Sequence, residues 1–136
     1  MARGSLVKKL LIRPEQRLLI LNAPPDYITR LGKLPKGVTV AHQPDGQFDF
    51  VHLFVRTVAD LNRLGPVAIS AVKPDGIFWI SYPKRSSKVE SHITRDVGWH
   101  VIEKAGLEGV AQVAVDEVWS ALRFRPAERV GRRRQT

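Results

Sequence analysis

The chain has 136 residues, a length that fits a single domain. With 43% hydrophobic and 26% charged residues its composition is globular, and the lack of cysteine excludes disulfide frameworks, thiolate nucleophiles, zinc ribbons and iron–sulfur sites. Because no apolar run approaches the length of a membrane span and no signal-like start is present, we expect a cytoplasmic protein without a membrane partner.

The formal net charge is +9, and about half of it comes from residues 123–136, which hold six arginines and one acidic residue. We expect one domain over residues 1–126 and a basic, disordered tail over residues 127–136. Such a tail can attract nucleic acid nonspecifically, and the simpler alternative is a solvated tail that binds nothing. The arginines that would make nucleic-acid or anion contacts are Arg129, Arg132, Arg133 and Arg134.

Short helices and strands alternate in the first half of the chain. The hydrophobic pattern predicts, in chain order, a helix over residues 5–11, a strand over 17–22, a helix over 26–31, and strands over 38–41 and 50–55. The run at 17–22 is continuously apolar, which is typical of a strand that is covered on both faces.

The second half begins with a helix over residues 58–72, in which Pro66 predicts a kink or two helical pieces. The pattern then predicts a tight turn at 73–76, a strand over 77–81, a helix over 94–105, and strands over 110–115 and 118–124. The last two strands are joined by Asp116 and Glu117 with little else. So short a connection permits an antiparallel hairpin and excludes a parallel crossover.

Two stretches resemble the class I methyltransferase fold. Residues 48–53 resemble that family's fourth strand, and residues 72–80 resemble its fifth strand with the preceding Lys–Pro turn. The closing hairpin stands in the place of the family's reversed final strands. The resemblance implies an α/β, three-layer Rossmann-like fold, whose mostly parallel six-stranded sheet has the order 2-1-3-4-6-5 with the last strand antiparallel.

Nearly the whole chain also resembles a bacterial family of small methyltransferase-like domains that has no assigned function. The match rests on residues 21–24 (LNAP), 82–84 (YPK) and 115–120 (VDEVWS). It implies a truncated methyltransferase-like domain and says nothing about a reaction.

The turn after the first strand departs from the methyltransferase pattern, in which a glycine-rich loop lets backbone N–H groups approach the cofactor. Here residues 22–27 (NAPPDY) contain no glycine, and the two prolines each remove a donor. The second strand is followed by residues 41–43 (AHQ), without the acidic residue expected to bind the ribose. The sequence therefore argues against an S-adenosylmethionine (SAM) site, and we expect no cofactor.

Candidate ligand-binding residues lie where the strands end, which is where open α/β sheets bind ligands. Asn22 and Asp26 can instead make local turn or helix-cap hydrogen bonds and bind no ligand. The basic loop after the fourth strand can bind an anion, or it can be a solvated loop that binds nothing. The candidates are Asn22, Asp26, His52, Lys84, Arg85, Ser87 and Lys88.

Two other clusters are more simply explained without a site. Paired acids beside a hydroxyl, at Asp116, Glu117, Trp119 and Ser120, suggest acid–base chemistry, but adjacent strand residues point to opposite faces. A tight turn with the tryptophan anchored in the core is the simpler explanation. His92, Asp96 and His100 have a spacing of four, but a helix that begins after His92 breaks the common face, so we expect no metal.

These observations favour a non-enzymatic scaffold that binds a protein, a second copy of itself or an anionic polymer such as nucleic acid. The alternative is a degenerate enzyme or small-molecule binder that uses the cleft at the carboxyl ends of strands one, three and four. If the chain is an enzyme, the resemblance implies a methyltransferase-like transferase. The catalytic residues are not identified by the sequence.

Overall fold

The apolar runs of the sequence pair into one sheet, with helices on both of its faces. A computed structural model describes residues 5–84, 93 and 99–129 of the chain. The helices are α1 (Leu6–Lys9), α2 (Tyr27–Leu31), α3 (Val58–Ala71) and α4 (His100–Lys104). The strands are β1 (Arg17–Leu21), β2 (Thr39–Ala41), β3 (Phe48–Phe54), β4 (Val72–Pro83), β5 (Leu107–Ala114) and β6 (Trp119–Pro126).

The six strands are arranged in the order β2-β1-β3-β4-β6-β5, which confirms the predicted topology. β1 pairs in parallel with β2 and β3, and β3 pairs in parallel with β4. β6 is antiparallel to both of its neighbours, β4 and β5. The turn between β5 and β6 reverses the chain, because so few residues cannot return it to the other end of the sheet.

Each face of the sheet has its own apolar core. On one face α3 and α4 cover a cluster that includes Leu53, Phe78 and Phe124. On the other, α1 and α2 cover a cluster that includes Phe54 and Trp79. Because both faces are covered, β1 buries four consecutive residues, as its continuous apolar run predicts.

α3 continues through Pro66 as one helix, so the alternative of two helical pieces is wrong. The helix starts with a capping box, in which Thr57 Oγ1 accepts from Asp60 N and the Asp60 carboxylate accepts from Thr57 N. Pro66 lies on the exposed side of α3, so its ring projects away from the sheet. A proline placed there loses one backbone hydrogen bond without disturbing the packed face.

The predicted turn at residues 73–76 lies inside β4, and β3 begins at Phe48 instead of residue 50. Val72 pairs with Phe48 and Ile77 with Phe50, so the residues between them bulge out of the ladder. Gly76 lies in this bulge, where a Cβ atom would come within 3.2 Å of the Asp49 carbonyl oxygen. The predicted tight turn is therefore a bulge within one strand, because β3 pairs with β4 on both sides of it.

Other boundaries differ by a few residues. α1 ends before the predicted limit, because Leu11 has a left-handed backbone (φ 69°) that stops the helix. Of the helix predicted over 94–105, the described part is α4, and residues 94–98 lie outside the described residues. Residues 127–129 form a short 3-10 turn, and the rest of the predicted tail lies outside the described residues. None of the described helices has the length and apolar character needed to cross a membrane.

Candidate functional site

β1, β3 and β4 end at the same edge of the sheet, called here the carboxyl edge. β2 lies on one side of β1 and β3 on the other, so the chain adds strands first towards one edge of the sheet and then towards the opposite edge, with the switch between β1 and β3. Open α/β sheets bind their ligands outside the strand ends at such a point. The residues that follow these strands are therefore the candidates for a site.

Asn22 follows β1 directly and has a left-handed backbone (φ 62°). Asparagine tolerates this conformation better than most residues with a side chain, which lets it form a turn that otherwise requires glycine. Its side-chain Nδ2 donates to the Phe54 carbonyl oxygen at 2.9 Å, at the end of β3. Asn22 thus turns the chain sharply and holds two strand ends together, so the missing glycine does not prevent a tight turn here.

The two prolines of this loop lie beyond Asn22. The Pro24 carbonyl oxygen accepts from Tyr27 N at 3.1 Å, in the turn that begins α2. Pro24 is half-buried and Pro25 is exposed. Their rings therefore shape the entry to α2 and not the turn at the end of β1.

A chain of three buried polar side chains lies beneath the carboxyl edge. The Tyr27 hydroxyl is 2.6 Å from His52 Nδ1, and His52 Nε2 is 2.7 Å from Ser81 Oγ. His52 and Ser81 are fully buried, and the aromatic rings of Tyr27 and Phe54 pack against the imidazole. Burial lowers the pKa of His52 to about 3 and raises the pKa of the Tyr27 hydroxyl.

The sequence places His52 among the residues that line the cleft, but the structure encloses it completely. Residues 50, 52 and 54 of β3 face the same side of the sheet, and α2 covers that side. His52 joins α2, β3 and β4 through its two ring nitrogens. It can hold Tyr27 in position without itself reaching a ligand.

Asp26 is exposed at the start of α2 and does not cap the helix with its side chain. Its Oδ2 accepts from Arg30 Nε at 3.0 Å, and the same Arg30 nitrogen lies 3.5 Å from Asp116 Oδ2. Asp116 also accepts from the backbone N–H groups of Val118 and Trp119. One arginine therefore connects α2 to the β5–β6 turn at the carboxyl edge.

Lys84 follows β4, and its backbone N–H donates to the Val118 carbonyl oxygen at 2.7 Å. Beside it lies a cavity of about 390 Å³ lined by Tyr82, Gln112 and Ser120 among others. Gln112 Nε2 donates to both the Tyr82 hydroxyl and Ser120 Oγ at 2.9 Å. Sequence reasoning missed Tyr82 and Gln112, because only the antiparallel pairing of β4, β6 and β5 brings them together.

The remaining predicted contacts lie away from this cavity or outside the described residues. Arg85, Ser87 and Lys88 lie outside the described residues, as do Arg132, Arg133 and Arg134. Arg129 lies 4.0 Å from the Asp75 carboxylate, near the start of β4 and so away from the carboxyl edge. No cluster of metal-ligating side chains occurs within residues 5–84, 93 and 99–129.

A larger cavity of about 560 Å³ lies between α4 and β5. Its lining includes Trp99, Glu103, Leu107 and Phe124, and it opens on the face covered by α3 and α4. It lies beside the first half of β5, away from Asn22 and Lys84, but Gln112 lines both this cavity and the one beside Lys84.

Solved structures similar to this chain include a SAM-dependent methyltransferase and complexes with SAM or SAH. A SAM-dependent methyltransferase from Aquifex aeolicus aligns with a TM-score of 0.60 at 12% identity, over 88% of this chain and 86% of its own. The DhpI–SAH complex aligns with a TM-score of 0.61 at 16% identity, over 92% and 83% of the two chains. The DhpI–SAM–HEP complex aligns with a TM-score of 0.59 at 14% identity, over 90% and 84%.

The fold is methyltransferase-like. Each of the three comparisons covers more than four-fifths of both chains. No protein-family model matches the methyltransferase-like domain, and no curated protein matches it by sequence. The finer resemblance to a bacterial family of small domains therefore stays a prediction.

The prediction that the methyltransferase-like domain takes no cofactor is contradicted, because similar structures are complexes with SAM or SAH. The prediction treated the missing glycine and the two prolines as a closed turn. In the structure Asn22 provides the left-handed residue that the turn needs, and the prolines follow it at the start of α2. The absence of glycine from the sequence is therefore not sufficient to exclude a nucleoside.

Proposed function

We propose that this chain is a degenerate methyltransferase-like protein that binds an S-adenosyl nucleoside at the carboxyl edge, where β1, β3 and β4 end. The observation that carries the proposal is the left-handed backbone of Asn22 directly after β1. It gives a glycine-free loop the turn that a ligand at this edge requires. The similarity to SAM and SAH complexes over most of the chain supports the choice of ligand.

The residues after β1 fit the nucleoside in part. Asn22 and Ala23 lie before the two prolines, so each has the backbone N–H donor that a proline lacks. Asp26 has an exposed carboxylate that can accept hydrogen bonds from hydroxyl groups. After β2 the chain offers His42 and Gln43 where an acidic residue would bind a ribose. The missing acid is why we propose a degenerate site and expect weaker binding than in a complete methyltransferase.

S-adenosylmethionine, when bound, supplies a methyl group activated by a sulfonium, so the class of reaction that this ligand supports is methyl transfer. In the protein, His52 holds the Tyr27 side chain and therefore the start of α2, the helix that follows the loop after β1. Arg30 holds α2 against the β5–β6 turn through Asp26 and Asp116. These contacts keep the loop after β1 in one conformation, which lowers the entropy cost of binding a ligand.

The acceptor substrate is proposed to enter the cavity beside Lys84. Tyr82, Gln112 and Ser120 form a connected hydrogen-bond network at its wall, and this network can orient a polar group. Gln112 is exposed and lies on the edge strand β5, so the network is accessible from solvent. A small polar acceptor fits this lining better than a large apolar one.

Isothermal titration calorimetry with S-adenosylmethionine and S-adenosylhomocysteine tests the proposal. We expect saturable binding by the wild-type chain and a loss of about tenfold or more in Asn22→Val, because a β-branched residue strongly disfavours a positive φ. Asn22→Gly keeps the turn conformation and should retain most of the affinity. The contrast separates the backbone of Asn22 from its side-chain bond to Phe54.

Glu15→Val is the matched control, because Glu15 also has a left-handed backbone (φ 68°) but lies before β1, at the other edge of the sheet. It should strain the chain to a similar extent and leave nucleoside affinity unchanged. Absence of saturable binding to either nucleoside in the wild-type protein would reject the proposal. Equal losses of nucleoside affinity in Asn22→Val and Glu15→Val would show that the left-handed turn at Asn22 has no specific role in binding.

The scaffold hypothesis predicts partner binding without a nucleoside. Light scattering tests for a second copy directly, since a self-associating chain would show a mass above that of the 15.3 kDa monomer. A nucleoside-free chain that still self-associates would favour the scaffold over the proposed ligand site.

A further inference from the structure

The larger cavity, between α4 and β5, has an apolar wall. Its volume of about 560 Å³ lies within the range of small-molecule sites. Leu122 and Phe124 of β6 line it with buried side chains. Trp99 also lines it, and the centre of its indole ring lies 5.2 Å from the centre of the Phe124 ring. These side chains give the body of a ligand an apolar surface on which to pack.

Two glycines leave the cavity open. Gly106 and Gly109 both line it, and neither has a side chain to occupy the space. A Cβ atom at Gly106 would meet nothing within 4 Å, and one at Gly109 would meet Leu122 at 3.5 Å, an ordinary van der Waals contact. A side chain at position 109 would therefore pack on Leu122 and take up part of the cavity.

The charge of this cavity is opposite in sign to that of the chain. The chain has a net charge of +9, but the described residues that line the cavity include no lysine, arginine or histidine. Glu103 of α4 does line it, is exposed, and forms no ion pair with the rest of the described chain. Lys104, the next residue of α4, is not part of the lining. The cavity is therefore suited to a cation.

Gln112 adds a second acceptor at the other end of the cavity. Its Nε2 donates to the Tyr82 hydroxyl and to Ser120 Oγ, both at 2.9 Å, so these two bonds use both hydrogens of the side-chain amide. Its Oε1 has no hydrogen-bond donor among the described residues. Glu103 and Gln112 thus both offer oxygen atoms to a ligand that carries N–H or O–H groups.

We infer that the cavity between α4 and β5 binds a small organic cation, an ammonium group on an aromatic or aliphatic body. The body packs on Leu122 and Phe124, the ammonium group pairs with Glu103, and Gln112 Oε1 accepts from a donor elsewhere in the ligand. Burial of the body supplies most of the affinity, and the ion pair supplies the preference for a cation. The inference does not depend on the proposed nucleoside function, because the loop after β1 contributes nothing to the lining.

Three indole probes that differ in the charge of one group test the site. Calorimetry is performed with tryptamine, tryptophol and indole-3-acetate, which are a cation, a neutral alcohol and an anion on the same ring system. We expect tryptamine to bind most tightly. The general field of a chain with a net charge of +9 favours the anion instead, so a preference for the cation reports the local site.

Two variants separate the charge of the site from its space. Glu103→Gln should weaken tryptamine binding about three- to fivefold and leave tryptophol binding unchanged, since an ion pair at an exposed carboxylate contributes about that factor. Glu117→Gln is the matched control, because it removes the same charge from an exposed glutamate beyond the other end of β5. Gly109→Leu should weaken the binding of all three probes about tenfold or more, because its side chain takes the space of the ligand.

S-adenosylhomocysteine, titrated into the same proteins, separates this site from the proposed function. A chain that binds tryptamine and no nucleoside would reject the proposed function and support the cation site. No binding of tryptamine by the wild-type chain, no preference for it over indole-3-acetate, or equal losses in Glu103→Gln and Glu117→Gln would overturn the inference. Glu103 is exposed, so its variant decides the question even if Gly109→Leu does not fold.

Discussion

His52 is the buried ionisable residue whose surroundings are most completely defined. Its two ring nitrogens lie at 2.6 and 2.7 Å from the Tyr27 hydroxyl and Ser81 Oγ, so both are satisfied while the imidazole is neutral. A proton added to this ring would make both nitrogens donors inside an aromatic cluster. The packing of α2, β3 and β4 around His52 therefore favours the neutral imidazole.

The stability of the protein should depend on pH through His52. Its pKa is lowered from 6.5 to about 3 in the folded state, so below pH 6.5 the unfolded chain binds a proton that the folded chain does not. Above pH 6.5 His52 is neutral in both the folded and the unfolded chain, so the free energy of unfolding has its full value. As the pH falls from 6.5 towards 3 the unfolded chain gains a proton, and the free energy of unfolding decreases by about 1.4 kcal/mol per pH unit. Urea unfolding measured across this range checks the slope.

Two histidine variants separate this effect from general acid denaturation. His52→Gln removes the titration and should flatten the dependence in this range, although it lowers stability at neutral pH. His42→Gln removes an exposed histidine after β2 and should leave the slope unchanged. A slope that is the same in wild type and His52→Gln would show that His52 does not cause it.

α1 has only four residues, so tertiary contacts and not helix propensity must hold it in place. Trp79 provides the longest-range contact, since its indole nitrogen on β4 bonds the carbonyl oxygen of Leu10, the C-cap residue of α1. Leu10 is also fully buried against the sheet. The position of α1 is therefore set by β4, a strand more than sixty residues later in the chain.

Trp79→Phe should loosen α1 locally, because the Leu10 carbonyl would lose its partner while most of the apolar contact is kept. We expect faster amide hydrogen exchange in residues 6–12, by about tenfold or more, with little change in β1 and β3. Trp119→Phe is the control, since Trp119 lies in the same core but its indole packs on Phe54 and below Arg56, away from α1. Equal exchange in α1 of both variants would contradict the assigned role of the bond.

At the scale of the whole molecule, the charge is divided between a folded body and a basic end. Within the described residues, most cations near the start of β4 are paired: Lys73 with Asp49 at 2.7 Å and Arg125 with Asp75. Of the arginines predicted to contact nucleic acid, Arg129 lies 4.0 Å from Asp75, and Arg132, Arg133 and Arg134 lie outside the described residues. The contribution of the tail is therefore tested by removing it.

A chain that ends at Pro126 loses the tail and keeps all six strands. If the tail contributes to nucleic-acid binding, this truncation should reduce the affinity for a single-stranded oligonucleotide at low salt and make it less dependent on salt, because fewer counterions are released. Fluorescence anisotropy at several salt concentrations measures both. An unchanged affinity and salt dependence would show that the tail makes no such contribution.

The sequence by itself determined the order of the elements and the antiparallel end of the sheet, and the order of the strands followed from its resemblance to the class I methyltransferase fold. Continuous apolar runs such as residues 17–22 predict strands covered on both faces, and the short connection at Asp116 and Glu117 requires an antiparallel end. These properties are local, since they depend on hydrophobic pattern and chain length. Together with the strand order that the resemblance implied, they place Asn22 and Lys84 at the carboxyl edge.

Only the tertiary structure decided which of these residues can meet a ligand. Period-two alternation puts His52 on one face of β3, but only the packing of α2 shows that this face is closed. The absence of glycine predicted a closed turn after β1, whereas the backbone of Asn22 adopts the glycine-like conformation. Arg123 appears in sequence as one cation of a basic end, and its buried, unpartnered Nε follows from strands that pair across more than forty residues.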